Sequence, residues 1–212
     1  MDMKVIDMSH SVTNGMPVFP GIPPVVLKPI ATVDSDGFNE LHLELTTHIG
    51  THIDCPRHIF NGGFDTTEEI SKFFGKGIVI NCLDTGPEIP FSYIKKMETL
   101  IDQSEFVLLY TGWDKYWSNS GYFENFPVLS IEAVDYLLKF PLKGTGIDAP
   151  SFDRIDSVAL PVHNRLLGKG VILIENLTNL QGMMNTHFMF SCLPLKIENG
   201  DGCPVRAAGI IN

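Results

Sequence analysis

One short segment, THIGTHIDCPRHIFN (residues 47–61), gathers His48, His52 and His58 around Asp54. Imidazole and carboxylate together are the donor set that suits Zn, and also Mn or Fe. A single histidine is more often a packed or solvated residue than a ligand. Four such groups crowded together are explained by a bound metal or by shared proton chemistry. The i, i+4 spacing of His48 and His52 would fit a helix, but Gly50, the β-branched neighbours and Pro56 disfavour one. In an extended chain, alternate side chains point the same way. His48, Gly50, His52 and Asp54 are therefore expected on one face, with Ile49, Thr51 and Ile53 turned to a core. Pro56 then turns the chain and can bring His58 back toward the same point.

A second segment, LPVHNRLLGKGVILIENLTNL (residues 160–180), offers His163 and Glu175. Glu175 closes an apolar strand, where a carboxylate is costly unless it is paired or bound to a cation. Taken alone it reads equally well as a solvated strand end. Joined to the first segment, it raises the ligand count above what one tetrahedral ion needs. Asp54 or Glu175 could then bridge two ions.

Other residues are weighed against simpler roles. Phe19 sits in the Pro/Gly-rich stretch NGMPVFPGIPP, where a large apolar side chain suits the cover of a site, and Trp113 in TGWDKYW is a second candidate substrate contact. Trp117 is expected in the core. Asp148 and Ser151 are expected to hold a turn; His10, His42 and His187 read as structural, and Arg206, which could pair with a carboxylate, is left unassigned. No G-x-S-x-G nucleophile elbow is present.

The elements that must position these groups read as a mixture. Met3–Met8 suits an edge strand and Asn14–Pro24 an irregular loop. Leu41–Leu45 alternates as a half-buried strand does. Thr66-x-x-Glu69 is a capping box that predicts a short helix from Thr66. Gly77–Leu83, Phe106–Tyr110, Val171–Ile174 and Phe188–Leu195 read as strands. Helices are expected near Phe91–Leu100 and, capped by Ser130, over Ser130–Lys139. This order predicts one α/β or α+β domain over residues 1–212 with a mixed sheet.

The chain has 212 residues, is 44% hydrophobic and carries a net charge of −10. An acidic surface disfavours nucleic acid and anionic lipid. The start, MDMKVIDMSHSV, lacks a signal-peptide apolar region, and no segment is apolar for long enough to span a bilayer. Cys55, Cys82, Cys192 and Cys203 follow no framework spacing and read as reduced thiols of a cytoplasmic protein. Cys55, inside the histidine-rich segment, is the one expected to be accessible to oxidation.

His48-Ile-Gly-Thr-His52-Ile-Asp54-Cys-Pro56-Arg-His58 resembles the HxGTHxDxPxH motif of the cyclase-like metal-dependent hydrolases, a family that includes bacterial kynurenine formamidase and isatin hydrolase. Further likenesses are Pro17-Val-Phe19-Pro20-Gly21, Thr111-Gly112-Trp113, Gly146-Ile-Asp148-Ala-Pro-Ser151-Phe-Asp153, the His163–Glu175 spacing and Pro204-Val-Arg206-Ala207. The resemblance implies a swivelling β/β/α type of fold, a homodimer and about two divalent ions, Zn first and Mn as the alternative. It assigns His48, His52 and Asp54 to one ion, with Asp54 and Glu175 bridging to a second ion held also by His163. His58 would be the proton donor and acceptor. Arylformamidases resembling this chain tend to carry Trp where Phe19 stands and lack the Thr111–Trp113 segment; both differences lie where substrate would be read.

The expected reaction is hydrolysis of an N-formyl arylamine or a cyclic amide by metal-activated water. The alternatives are kynurenine formamidase proper, a metal-dependent cyclase or dehydratase on the same site, and a non-catalytic metal-binding module.

Overall fold

The computed structural model describes residues 3–184 and 186–211. The chain opens with β1 (Lys4–Asp7), β2 (Val26–Ala31), α1 (Val33–Asp36), β3 (Glu40–Glu44) and β4 (His52–Asp54). Next come β5 (Phe74–Asn81), β6 (Glu88–Ile89), α2 (Phe91–Lys95), α3 (Glu98–Asp102), β7 (Phe106–Tyr110), β8 (Val128–Leu129) and α4 (Ile131–Leu137). It ends with β9 (Gly144–Ile147), α5 (Pro161–Leu167), β10 (Ile172–Glu175), β11 (Phe188–Ser191), β12 (Gly202–Pro204) and β13 (Ala208–Ile211).

Nine strands form one mixed sheet in the order β1-β13-β11-β5-β7-β9-β10-β4-β12. The central run β5-β7-β9-β10 is parallel and the remaining pairs are antiparallel. A parallel strand covered on both faces has no polar side, and β7 reads FVLLY with every residue buried. Val107 and Leu109 pack under α2, α4 and α5 with Ile94, Val134 and Leu166. Phe106, Leu108 and Tyr110 pack on the other face with Phe188, Phe190 and Ile53. This is the mixed-sheet α/β class the sequence predicts. Ser130 caps α4 as expected, its Oγ accepting from the Ala133 amide at 3.2 Å.

Several elements differ from the sequence reading. No α-helix starts at Thr66; residues 70–73 form one 3-10 turn, and the Thr66 hydroxyl instead donates to the Ile197 carbonyl at 2.9 Å. The expected helix over Phe91–Leu100 is divided into α2 and α3. The strand expected over Phe188–Leu195 stops at Ser191. β3 is exposed along its whole length, not half-buried, because among the described residues it pairs with β2 alone, in a separate two-stranded ribbon. Cys55 is buried, as are the other three free cysteines, and burial pushes its thiol up.

Candidate metal centre

In β4, His52 and Asp54 point to the helix face of the sheet while Ile53 enters the opposite core, as alternation requires. β10 lies antiparallel beside it, with Glu175 directly opposite His52. Glu175 ends β10 and residues 148–153 follow β9, so the site forms at the carboxyl ends of parallel strands, where open α/β sheets place their ligands. α5 then crosses above and contributes His163. All four of these polar side chains are buried.

The expected extended path does not reach back to His48. Gly50 has φ +58°, in the left-handed region that favours glycine, and breaks the alternation before β4 begins. Its neighbour Met16 would lie 3.0 Å from an added Cβ. His48 nevertheless arrives at the site: its Nδ1 lies 2.6 Å from Asp54 Oδ1. Gly202 makes room for this ring, since a Cβ there would meet His48 Cε1 at 2.7 Å. His58 follows the Pro56 turn, and its ring centroid is 4.1 Å from that of His48.

The orientation of two histidines is fixed from behind. His52 Nδ1 lies 2.8 Å from the Gly50 carbonyl, and His163 Nδ1 lies 2.7 Å from Asp153 Oδ2. A carbonyl can only accept, so His52 Nδ1 carries the proton. The same tautomer at His163 leaves both Nε2 lone pairs facing carboxylates. His52 Nε2 is 3.3 Å from Asp54 and 3.5 Å from Glu175, while His163 Nε2 is 3.4 Å from Asp54 and 3.3 Å from Glu175. Acceptor facing acceptor is repulsive unless a proton or a metal cation lies between. Two ligands of one tetrahedral ion at ~2.1 Å stand roughly 3.4 Å apart, which is the spacing found. Carboxylate–histidine and carbonyl–histidine contacts of this kind are how proteins aim imidazoles at a metal. The residues present therefore fit a divalent cation.

Without a metal, the surrounding acids keep His48 and His163 protonated. Burial pulls His48 down, but Asp54 and Asp201 outweigh it and hold the imidazolium up to about 9. Burial likewise opposes the charge on His163, and Asp153, Asp54 and Glu175 prevail, raising it well above the ordinary value. Burial would raise Asp54, yet His48 and the hydrogen bonds from His163 and His52 hold it well below the carboxylate range. His58 is lowered, chiefly by burial.

The donor atoms converge as two groups sharing Asp54: His48, Asp54 and His58 in one, and His52, Asp54 and Glu175 in the other. His58 thus falls beside His48 and Asp54, and Glu175 falls beside His52 and Asp54.

Two acids that the sequence reading did not assign complete the surroundings. Asp201 Oδ2 lies 2.9 Å from His48 Nε2 and 3.5 Å from His58 Nδ1. Its only sequence signal is a carboxylate between Gly200 and Gly202, just before the Pro204–Ala207 segment. Asp153 accepts from the Val162 and His163 amides as well as His163 Nδ1, so it both caps α5 and orients the imidazole.

A cavity of about 240 Å³ opens onto these groups, and Phe19 lines it as expected from its loop position. Trp113 does not line it: the indole packs on the core beneath the helices and donates to the Tyr122 carbonyl at 2.8 Å. Asp148 does hold a turn, accepting from Thr111 N and Oγ1 at 2.9 and 2.6 Å and from Gly112 N at 2.7 Å. Arg206 pairs with Asp7 at the surface. No helix of the described residues is long and apolar enough to cross a membrane.

A mixed α/β sheet whose carboxyl edge carries histidines and carboxylates around a small cavity defines a candidate metal-site protein. The Cyclase family, described as "Putative cyclase", matches residues 6–154, and the chain belongs to this family. A protein of Methanocaldococcus jannaschii of uncharacterised function is 32% identical over 99% of this chain and 100% of its own. The kynurenine formamidase of Geobacillus thermodenitrificans is 31% identical over 96% of this chain and 95% of its own. Among solved structures, an isatin hydrolase bound to the product analogue thioisatinate superposes with a TM-score of 0.88 at 25% identity, covering 99% of this chain and 92% of that one. A potential metal-dependent hydrolase with cyclase activity gives a TM-score of 0.83 at 26% identity, with 100% and 99% coverage.

Proposed function

We propose that this chain is a metal-dependent hydrolase of a non-peptide amide, either an N-formyl arylamine or a cyclic amide. The observation that carries this reading is the pair of Nε2 atoms, His52 and His163, turned onto the oxygens of Asp54 and Glu175. His48, His52, Asp54, His163 and Glu175 would hold divalent metal, about two ions per chain, with Zn first and Mn as the alternative. When bound, the metal supplies an activated water and a Lewis acid for the carbonyl.

His58 is half-buried with its pKa lowered, so it is neutral at pH 7 and able to accept a proton. Its Nδ1 is turned toward Asp201, which leaves Nε2 to take the proton of the attacking water and return it to the leaving nitrogen. In the balanced reaction, water oxygen bonds to the acyl carbon, the C–N bond breaks, and the nitrogen leaves as an amine. The 31% identity to kynurenine formamidases keeps N-formylkynurenine as the second reading. The whole chain would act as one domain. The exposed β2–β3 ribbon supports a homodimer, and four free, buried cysteines support a cytoplasmic setting.

The test is elemental analysis after mild dialysis, followed by turnover of formanilides, isatin, cyclic imides and lactones. About two ions per chain with amide turnover is expected. Folded, active protein without metal would sink the mechanism, and one tightly held ion would sink only the two-ion version. Glu175→Ala should lose both metal and rate; retention of both would make Glu175 a bystander.

A further inference from the structure

The chemistry of the cavity is divided. One side is the metal centre. The other is Pro17, Phe19, Ile22, Phe123 and Leu160, and no Lys or Arg is present among the described lining residues. The two acids that line it, Asp54 and Glu175, are turned to the histidines.

This apolar wall is built rather than incidental. Phe19 and Phe123 meet edge to face, with centroids 5.8 Å apart and planes at 80°. Phe123 also packs on Tyr122 at 5.2 Å. Tyr122 is fully buried and anchored by its hydroxyl, which donates to Asn176 Oδ1 at 2.7 Å. Leu160 holds φ +42° and ψ +56°, a left-handed conformation that a leucine adopts only under constraint. Its carbonyl accepts from both the amide and the side chain of Asn164, at 2.9 and 3.0 Å, which keeps it there. The strained residue thus places an isobutyl group in the cavity at the head of the helix that carries His163.

A substrate ring gains from contact with such walls. A carboxylate or ammonium on the far side of that ring would lose part of its water and find no counter-charge among the described lining residues. We propose that the site selects uncharged aryl amides and lactams over charged ones, with Phe19, Phe123 and Leu160 setting the preference. This rests on the hydrolase reading and narrows it: N-formylkynurenine, which carries a zwitterionic amino-acid tail, becomes the poorer substrate.

The experiment uses two formamides with the same aryl ketone, N-formyl-2-aminoacetophenone and N-formylkynurenine, with the metal-loaded full chain. kcat/KM should favour the neutral compound by at least ~10-fold, a difference of about 1.4 kcal/mol. Calorimetry with the two amine products, 2-aminoacetophenone and kynurenine, should show the same order of Kd. Phe123→Arg should move both ratios toward the tailed compounds, whereas Phe123→Leu should leave the order unchanged. Equal or better use of N-formylkynurenine by the wild type overturns the inference while leaving the hydrolase reading intact. If neither formamide, isatin, an imide nor a lactone is hydrolysed, the hydrolase reading fails and the inference falls with it.

Discussion

Asp153 Oδ2 and His163 Nδ1 lie 2.7 Å apart, and the same oxygen accepts from the His163 amide at 3.0 Å. One carboxylate oxygen therefore fixes both the backbone and the ring of a candidate ligand. Removing such a partner behind a metal-bound histidine typically weakens metal affinity by about 10–100-fold. Asp153→Ala is expected to show that loss in a chelator competition titration. Its KM at saturating metal should change little, because Asp153 does not line the cavity. Unchanged metal affinity would reduce Asp153 to a helix cap.

His10 supplies a pH test away from the centre. Its ring stacks on Trp117 at 4.0 Å with the planes 7° apart, and among the described residues its Nε2 has no partner. Burial holds its pKa down to about 4, against the pull of Asp114. The folded value lies below the unfolded one, near ~6.5, so the folded state binds fewer protons. The stability from the neutral ring is complete above pH ~6.5 and is lost as pH falls through 4. Because the ring is only partly enclosed, a loss of about 1–2 kcal/mol is expected. His10→Phe preserves the stack and removes the titration. Urea melts at pH 7, 5.5 and 4.5 should show a smaller acid slope in the variant; parallel slopes would sink the assignment.

These positions show what could be read from sequence and what could not. Alternation places His52 and Asp54 on one face and Ile53 on the other, and that pattern survives because β4 is paired on both sides. It fails at Gly50, where a positive φ is a choice among glycine's allowed conformations that no periodicity reveals. Asp201 reaches His48 only through the β12–β4 pairing, a contact between residues 153 apart in the chain. Asp153 is likewise a loop residue whose target is set by the entry angle of α5. Trp113 looks like a site aromatic because it follows Thr111-Gly112, but the clasp of those two residues by Asp148 turns the indole toward the core. The β3 alternation was legible, yet alternation says only that one face meets something apolar. It does not say that the cover comes from the same chain.

The β2–β3 ribbon turns that last point into a prediction. Leu41 and Leu43 share a face of β3 and are 56% and 55% exposed. Apolar rows of this kind mark association surfaces. In analytical ultracentrifugation the wild type is expected as a dimer at micromolar concentration. Leu41→Glu combined with Leu43→Glu should give a monomer with unchanged circular dichroism. A monomeric wild type would remove the ribbon from consideration as a subunit contact.

His58 poses the sharpest question, because it stands within reach of two roles. Its ring lies 4.1 Å from His48, and its nitrogen shares a ligand-sized group with His48 and Asp54. Its one side-chain hydrogen-bond contact among the described residues is the 3.5 Å approach to Asp201. A ligand and a proton shuttle lose different things when removed. If His58 moves protons, His58→Ala should retain metal and cost about 10²–10⁴-fold in kcat on an amide, whose leaving nitrogen must be protonated. An activated aryl ester of the same acyl group has a leaving group that needs no proton, so its loss should be much smaller. The amide pH–rate profile should also lose one limb in the variant. The measurement is kcat for the amide and ester in both proteins, with metal content determined for each. Equal losses on the two substrates, accompanied by a missing ion, would make His58 a ligand first and would transfer the proton-moving role to another group at the site.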